Sequence, residues 1–292
     1  MSENLRGSVL MIASMAAFVF NDTAVKLLGE RLPLFEVMFL RGILTVCFVG
    51  GLCQYFNAWK FLLSAKDWTF VVIRSLCDIC ASYLFLTALF HMPLANLTAI
   101  LQFLPLIIAV GAALFFNEKM GWRRVSAIVI GFLGMGLILR PGTEGFGLYS
   151  YFGVGAVLCV AVRDLITRRI SRHVPSLLVT FFNTIGILLY SSIALLWTDW
   201  VPVTVGEVKL IFLAAGLVSL AYWLSVLVMR SGDISFVAPF RYTGLLWALL
   251  IGYLVFDHFP DGYTLLGAAV IIFSGLYMMW RENRLNRQTK PL

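Results

Sequence analysis

Residues 5–28 read LRGSVLMIASMAAFVFNDTAVKLL, a run of apolar and small residues in which only Arg6, Asp22 and Lys26 are charged. As a helix rising 1.5 Å per residue it would be roughly 36 Å long, enough to cross the roughly 30 Å hydrocarbon core of a bilayer. The run is too long for the core of a secretory leader, and Asn21, Asp22 and Lys26 sit in it without a convincing cleavage site, so it reads as a retained helix. Similar runs, bounded by charged, proline or glycine-rich breaks, lie near residues 34–54, 68–90, 94–116 and 125–139. A second set lies near 149–166, 176–197, 208–229, 234–256 and 263–280. The chain of 292 residues is 61% hydrophobic and 13% charged, whereas soluble domains hold about 25% charged and about 45–50% apolar residues. A water-soluble fold is therefore excluded. The expected fold class is an all-α polytopic membrane protein with ten transmembrane helices.

The net charge of +7 would invite a nucleic-acid reading in a soluble chain, but in a membrane protein the placement of charge carries the information. With the N-terminus inside, Arg6, Lys60, Lys66, Lys119, Arg123, Arg124, Arg168, Arg169, Arg172, Arg230, Arg281, Arg284, Arg287 and Lys290 fall on the cytoplasmic side. Only Arg31, Arg140 and Lys209 fall on the other. The bias predicts both termini in the cytoplasm, with membrane lipid as the surrounding partner and no nucleic acid.

Sliding the chain by 142 places Asp22 on Asp164, Lys26 on Arg168, Pro33 on Pro175 and Phe39 on Phe181; sliding it by 139 places Ala99 on Ala238, Glu118 on Asp257 and Gly136 on Gly275. Five helices per half force the second copy to enter from the opposite side. The expected organisation is thus an inverted repeat, residues 1–140 and 141–282, followed by a basic tail at 283–292, an architecture suited to alternating access.

Other chemistries lack their signatures. There is no GxxxxGK[ST], GxSxG or HExxH, and His91, His173 and His258 all lie at helix ends. The five cysteines fall within apolar runs, which does not suit a disulfide framework. Cys77 and Cys80 match CxxC but have no further ligands nearby, so neither a metal site nor a cofactor is expected, and an enzyme is not the reading.

Charged residues inside the bilayer are the informative ones, because each costs at least about 2.5–3.5 kcal/mol to insert and persists where it meets a cavity or a partner. They are Asp22, Lys26, Arg41, Arg74, Asp78, Arg163, Asp164 and Arg241. Spacing of four pairs Asp22 with Lys26, Arg74 with Asp78, and Asp164 with Arg168. By helix rise, Arg41 lies roughly 12 Å in from the outer face, Arg74 and Arg241 roughly 10 Å in from the inner face, and Asp78 near mid-bilayer. These depths favour a water-lined cavity for a charged or strongly polar solute over surface anchoring. Tyr83, Tyr242 and Trp247 sit close to these charges in sequence and offer stacking surfaces. The expected substrate-binding set is Arg41, Arg74, Asp78, Tyr83, Gln102, Arg241, Tyr242 and Trp247. Asn21, Asp22, Arg163 and Asp164 are expected to gate or couple. Pro105 and Pro239 should loosen the fourth and ninth spans, and Gly131, Gly134, Gly136, Gly267 and Gly275 should let helices pack closely.

Phe20-Asn21-Asp22 followed by Lys26, Arg41 in the second span, and Pro93 and Pro105 bracketing the fourth resemble the EamA type of the drug/metabolite transporter superfamily over nearly the whole chain. Arg163-Asp164-Leu165-Ile166-Thr167-Arg168-Arg169, Ala238-Pro239-Phe240-Arg241-Tyr242 and Pro260-Asp261 are similar to the S-adenosylmethionine uptake carriers and bacterial riboflavin transporters within it. The resemblance implies a secondary carrier of a small metabolite in a bacterial inner membrane, driven by a proton or a counter-substrate. The excess of deep arginines over Asp78 favours a ligand with an anionic or carbonyl-rich part beside an aromatic ring. Export of amino acids or cationic drugs, and a solute channel, are the alternatives.

Overall fold

The computed structural model describes residues 3–60, 63–116, 122–139, 147–171, 173–229 and 237–289, and all regular structure among them is helical. The first half holds α1 (Glu3–Leu28), α2 (Leu34–Tyr55), α3 (Ala65–His91), α4 (Leu94–Leu101), α5 (Leu104–Phe116) and α6 (Trp122–Leu139). The second holds α7 (Leu148–Thr167), α8 (Ser176–Ala194), α9 (Val205–Met229), α10 (Thr243–Phe256) and α11 (Gly262–Thr289), with a 3-10 turn at Ala238–Tyr242 leading into α10. Among the described residues nine apolar segments are long enough to cross a membrane, α4 and α5 together forming one of them, Leu94–Phe115. The tenth expected crossing, Val125–Leu139, is a shorter apolar helix.

Local chemistry explains where the helices start. Pro33, Pro93 and Pro175 stand immediately before α2, α4 and α8, where their fixed φ and missing N–H cost no intrahelical bond. Helix α3 begins three residues earlier than its apolar run. Ser64 caps it and Asp67 reaches back, completing a capping box. Thr204 and Glu207 exchange the same bonds at the start of α9. Apolar periodicity does not register these polar first turns.

Both mid-span prolines coincide with breaks. Gln102 and Phe103 interrupt the fourth crossing, with the Gln102 N–H shared between Thr98 and Ala99 carbonyls. Pro105 has no N–H to return to Leu101, so regular α geometry lapses there and resumes at Leu104. In the ninth crossing Pro239 sits at the start of the 3-10 turn Ala238–Tyr242, and α-helix follows from Thr243. A shift of 139 residues places Gln102 on Arg241 and Phe103 on Tyr242, so the two halves break at matching positions.

The packing between the halves is self-consistent under their exchange. Helix α1 packs on α9 as α7 packs on α3, and α2 packs on α9 as α8 packs on α3. Helix α5 packs on α7 as α10 packs on α1, and three contacts pair counterparts directly: α2 with α8, α4 with α10, and α6 with α11. The closest of these is α6 with α11. A Cβ on Gly134 would lie 2.9 Å from the Gly267 carbonyl oxygen, and one on Gly267 would lie 2.5 Å from that of Gly134. A buried Ser274 hydroxyl donates across the same seam to the Ala127 carbonyl. Gly131 faces the Leu106 side chain, and Gly275 leaves room for the Tyr242 hydroxyl. Gly136 departs from the expected role, because nothing lies within 4 Å of its Cβ position.

Candidate functional site

Asp78 lies near the middle of α3 and is 6% exposed. One carboxylate oxygen accepts from Arg163 Nη1 of α7 at 2.7 Å, and the other accepts from Asn183 Nδ2 of α8 at 2.5 Å. Arg74, one turn earlier on α3, stands 3.7 Å away and donates through Nε to Thr167 Oγ1 of α7 at 2.9 Å. Arg163 also binds its neighbour Asp164, with Nε to Oδ1 at 2.9 Å. Three helices from both halves thus converge on one carboxylate. Arg163 bridges it to a second, which compensates charges that would be costly alone in a low-dielectric interior.

A second polar group sits on α1 and α2. Asn21 is buried, donates to Asp22 Oδ1 at 2.9 Å, and accepts from Arg41 Nη1 at 3.3 Å. Tyr222 of α9 lies within electrostatic reach of Arg41 on one side and of Arg74, Asp78 and Arg163 on the other. Its ring stands edge-on to Phe18 of α1, with centroids 5.7 Å apart. Arg241, following the break in the ninth crossing, is within electrostatic reach of Asp164, Arg163 and Tyr242. The countercharge within its reach therefore comes from another helix, consistent with Val237 and Leu245 as its neighbours four positions away.

The sequence-predicted residues fall into separate places. Arg74, Asp78, Arg163 and Asp164 come together with Arg241 nearby, and Asn21, Asp22 and Arg41 form the second group. Gln102 is buried at the other helix break and lies beside Gly244 of α10. Tyr83 stacks on Phe35, 6.0 Å between centroids and 8° between planes, in an aromatic cluster that includes Phe152 and Tyr190. Trp247 tilts against Phe20. Tyr242 is buried toward α11, with its hydroxyl over Gly275 and unpartnered among the described residues.

One pairing expected from spacing is corrected. Lys26 does not turn to Asp22; its Nζ donates to the Leu89 and Met92 carbonyls at 2.6 and 2.8 Å and lies over the Phe256 ring. The end of α3 presents carbonyls without intrahelical partners, and an ammonium satisfies two of them at once. Lys26 also lines a cavity of about 250 Å³ with Phe90, His91, Pro93, Phe256 and His258, at the end of the bundle. The expected pair of Arg74 with Asp78 is present at 3.7 Å, and Arg163 adds a shorter contact at 2.7 Å. Asn183 and Tyr222 were absent from the charged inventory because neither carries a formal charge. Their signal was available as a carboxamide and a phenol inside otherwise apolar runs. Among the described residues no group of three or more His, Cys, Asp or Glu is arranged to hold a metal, and all five cysteines are free thiols.

The model of the EamA-like transporter family matches residues 5–140 and 148–281. The chain belongs to that family. Its two matched segments fall one in each half of the helix pairing described above. An S-adenosylmethionine uptake transporter of Rickettsia bellii is 27% identical over 273 residues, spanning 94% of this chain and 93% of that protein. A riboflavin transporter of Vibrio cholerae is 31% identical over 235 residues, spanning 79% and 78%. A pseudopaline exporter of Pseudomonas aeruginosa is 25% identical over 275 residues, spanning 92% and 95%. A crystal structure with 17% identity superposes at a TM-score of 0.66 over 96% of this chain and 98% of its own, and so shares the fold. Family membership, the apolar helices and these relatives point to a multi-pass membrane transporter of a small molecule rather than an enzyme.

Proposed function

We propose that this EamA-family protein is a secondary carrier that moves a small polar metabolite across a bacterial inner membrane by alternating access between two inverted halves, 1–140 and 141–282, with 283–292 as a cytoplasmic tail. The observation that carries the reading is Asp78, held in the bilayer interior by Arg163, Asn183 and Arg74 from helices of both halves. Such a network lies where relative motion of the halves must rearrange it. Arg41, Arg74, Arg163, Arg241 and Tyr222 would meet the anionic or carbonyl-rich part of the solute, and Tyr83, Gln102, Tyr242 and Trp247 its ring and polar edge. Asp78 would balance charge or carry a proton. Asp22 and Asp164, with Asn21, would report the state of opposite gates.

S-adenosylmethionine and riboflavin are the first solutes to test, because the similar proteins described above are transporters of those compounds. In proteoliposomes the expected result is saturable uptake of one of them, accelerated by unlabelled solute inside. Unsaturable conductive flux would replace the carrier with a channel. Arg241→Ala is expected to weaken affinity by about 1.5–3 kcal/mol, the range for a lost charge-assisted contact. Arg241→Lys should recover part of it, since an ammonium lacks the planar fork. Wild-type affinity in folded Arg241→Ala would remove this arginine from the binding site.

The bias of basic residues supports an orientation with both termini in the cytoplasm. A cysteine at Thr204 is then expected to react with an impermeant maleimide from outside, and one at Gln288 only after the membrane is opened. Reaction of both from the same side would overturn the orientation.

A further inference from the structure

The two faces of the bundle carry corresponding contacts that the charged groups in its interior do not explain. On the face bearing the α1–α2 and α8–α9 connections, Glu207 grips the Arg31 guanidinium with both carboxylate oxygens, Nε to Oε1 at 2.5 Å. Arg31 also donates to the Pro202 carbonyl at 2.7 Å, and the buried Glu36 accepts from the Val201 N–H at 3.0 Å. On the opposite face, bearing the α2–α3 and α7–α8 connections, Asp67 accepts from the Ser171 N–H at 2.9 Å.

These contacts correspond. A shift of 140 residues carries Ser64 and Asp67 onto Thr204 and Glu207, and each pair is the capping box of the third helix of its half. Arg31 lies in the connection between the first two helices of its half and Ser171 in the connection between the first two of the other, ahead of Pro33 and Pro175 respectively. In both places, then, the acid that closes a capping box spends its remaining capacity on the first connection of the opposite half. The box holds the carboxylate in position whether or not that connection is present, so the contact can break without unwinding the helix. Both contacts are made in the same structure, and opening toward either face has to break the one on that face.

We propose that Glu207 with Arg31, and Asp67 with the Ser171 backbone, are the two latches of the gates, alternately released as the halves rock. This deepens the carrier reading and rests on it. The latches differ in kind: a bidentate ion pair on one face, and a carboxylate taking a backbone N–H on the other. The Arg31 side chain is 46% exposed and Asp67 only 1%, so solvent screens the first contact far more than the second.

The test is reciprocal accessibility in the full-length protein, freed of native cysteines and reconstituted without substrate. One reporter cysteine replaces Phe35, which stacks with Tyr83 and Tyr190 beneath the Glu207 latch. The other replaces Val71, 1% exposed and packed with Val174 and Val179 beneath the Asp67 latch. Arg31→Ala and Ser171→Pro each remove a cross-contact while leaving both capping boxes intact, and Glu207→Gln repeats the first cut with a residue that still caps. Arg31→Ala and Glu207→Gln are expected to raise maleimide labelling at position 35 about tenfold and to lower it at 71, the shift that losing one such contact produces in a two-state equilibrium. Ser171→Pro should do the reverse. A static staple would not couple the faces. Unchanged rates at both reporters, or a rise at both, would overturn the proposal. Unchanged labelling alongside saturable uptake by the wild type would remove the latches and leave the carrier. Reciprocal labelling without uptake of any solute would leave the latches and remove the carrier assignment.

Discussion

Replacing Arg163 with alanine is expected to be the most damaging single change, costing the folded protein about 3–5 kcal/mol, as breaking a buried ion pair from one side does. The arginine contacts both Asp78 and Asp164, and Asp78 is 6% exposed. Its loss leaves one buried carboxylate with only the Asn183 amide and the more distant Arg74. A sharp fall in the thermal midpoint in detergent is the expected readout, with saturable uptake abolished. Removing both charges in Asp78→Asn with Arg163→Met should restore most of the stability, because an absent pair costs less than a broken one. Transport should stay lost in the double variant. A wild-type midpoint in Arg163→Ala would show that solvent or Arg74 already compensates Asp78, and would remove this ion pair as the structural centre of the site.

Gly267→Leu is the second large effect. The first atom added at this position lies 2.5 Å from the Gly134 carbonyl oxygen and 2.7 Å from Ile138 Cγ1. The carbonyl belongs to the backbone of α6, so the clash cannot be relieved by turning a side chain, and the two helices must separate. Overpacking of close interiors costs about 1–3 kcal/mol, and a backbone clash belongs at the upper end of that range or beyond it. Gly136→Ala, on α6 but with nothing within 4 Å of the new atom, should change stability by less than about 0.5 kcal/mol. Equal midpoints for the two variants would mean that α6 and α11 are not held at this spacing.

Much of the fold was legible because bilayer thickness converts apolar length directly into helices, and because proline cannot donate to the fourth residue before it. The breaks before Pro105 and around Pro239 follow from that chemistry. The capping boxes at Ser64 and Thr204 were equally local, yet reading helices from apolar runs passes over polar first turns. Pairings within the site were harder. Spacing of four brings Asp22 and Lys26 near each other, but it cannot show that the carbonyl end of α3 lies closer to the ammonium and competes for it. Nor can it show that Arg163 comes from another helix to contact Asp78 more closely than Arg74 does. Asn183 and Tyr222 needed a search for any hydrogen-bonding group in an apolar run, since desolvation penalises an unpaired amide or phenol as well as a charge.

The matching places of Gln102 and Arg241 in the two broken crossings have a thermodynamic corollary. Under the carrier reading proposed above, identical halves would make the outward-open and inward-open forms equal in free energy, because exchanging the halves would convert one into the other. On that reading a neutral carboxamide opposite a guanidinium lifts the degeneracy, so one orientation would be preferred at rest and an anionic solute would be held unequally on the two sides. Detailed balance then ties these asymmetries together. Without a driving ion, any tighter grip on one side is cancelled around the closed cycle by the resting preference, and no gradient can be built. The inequality survives in kinetics, as different half-saturating concentrations for influx and efflux.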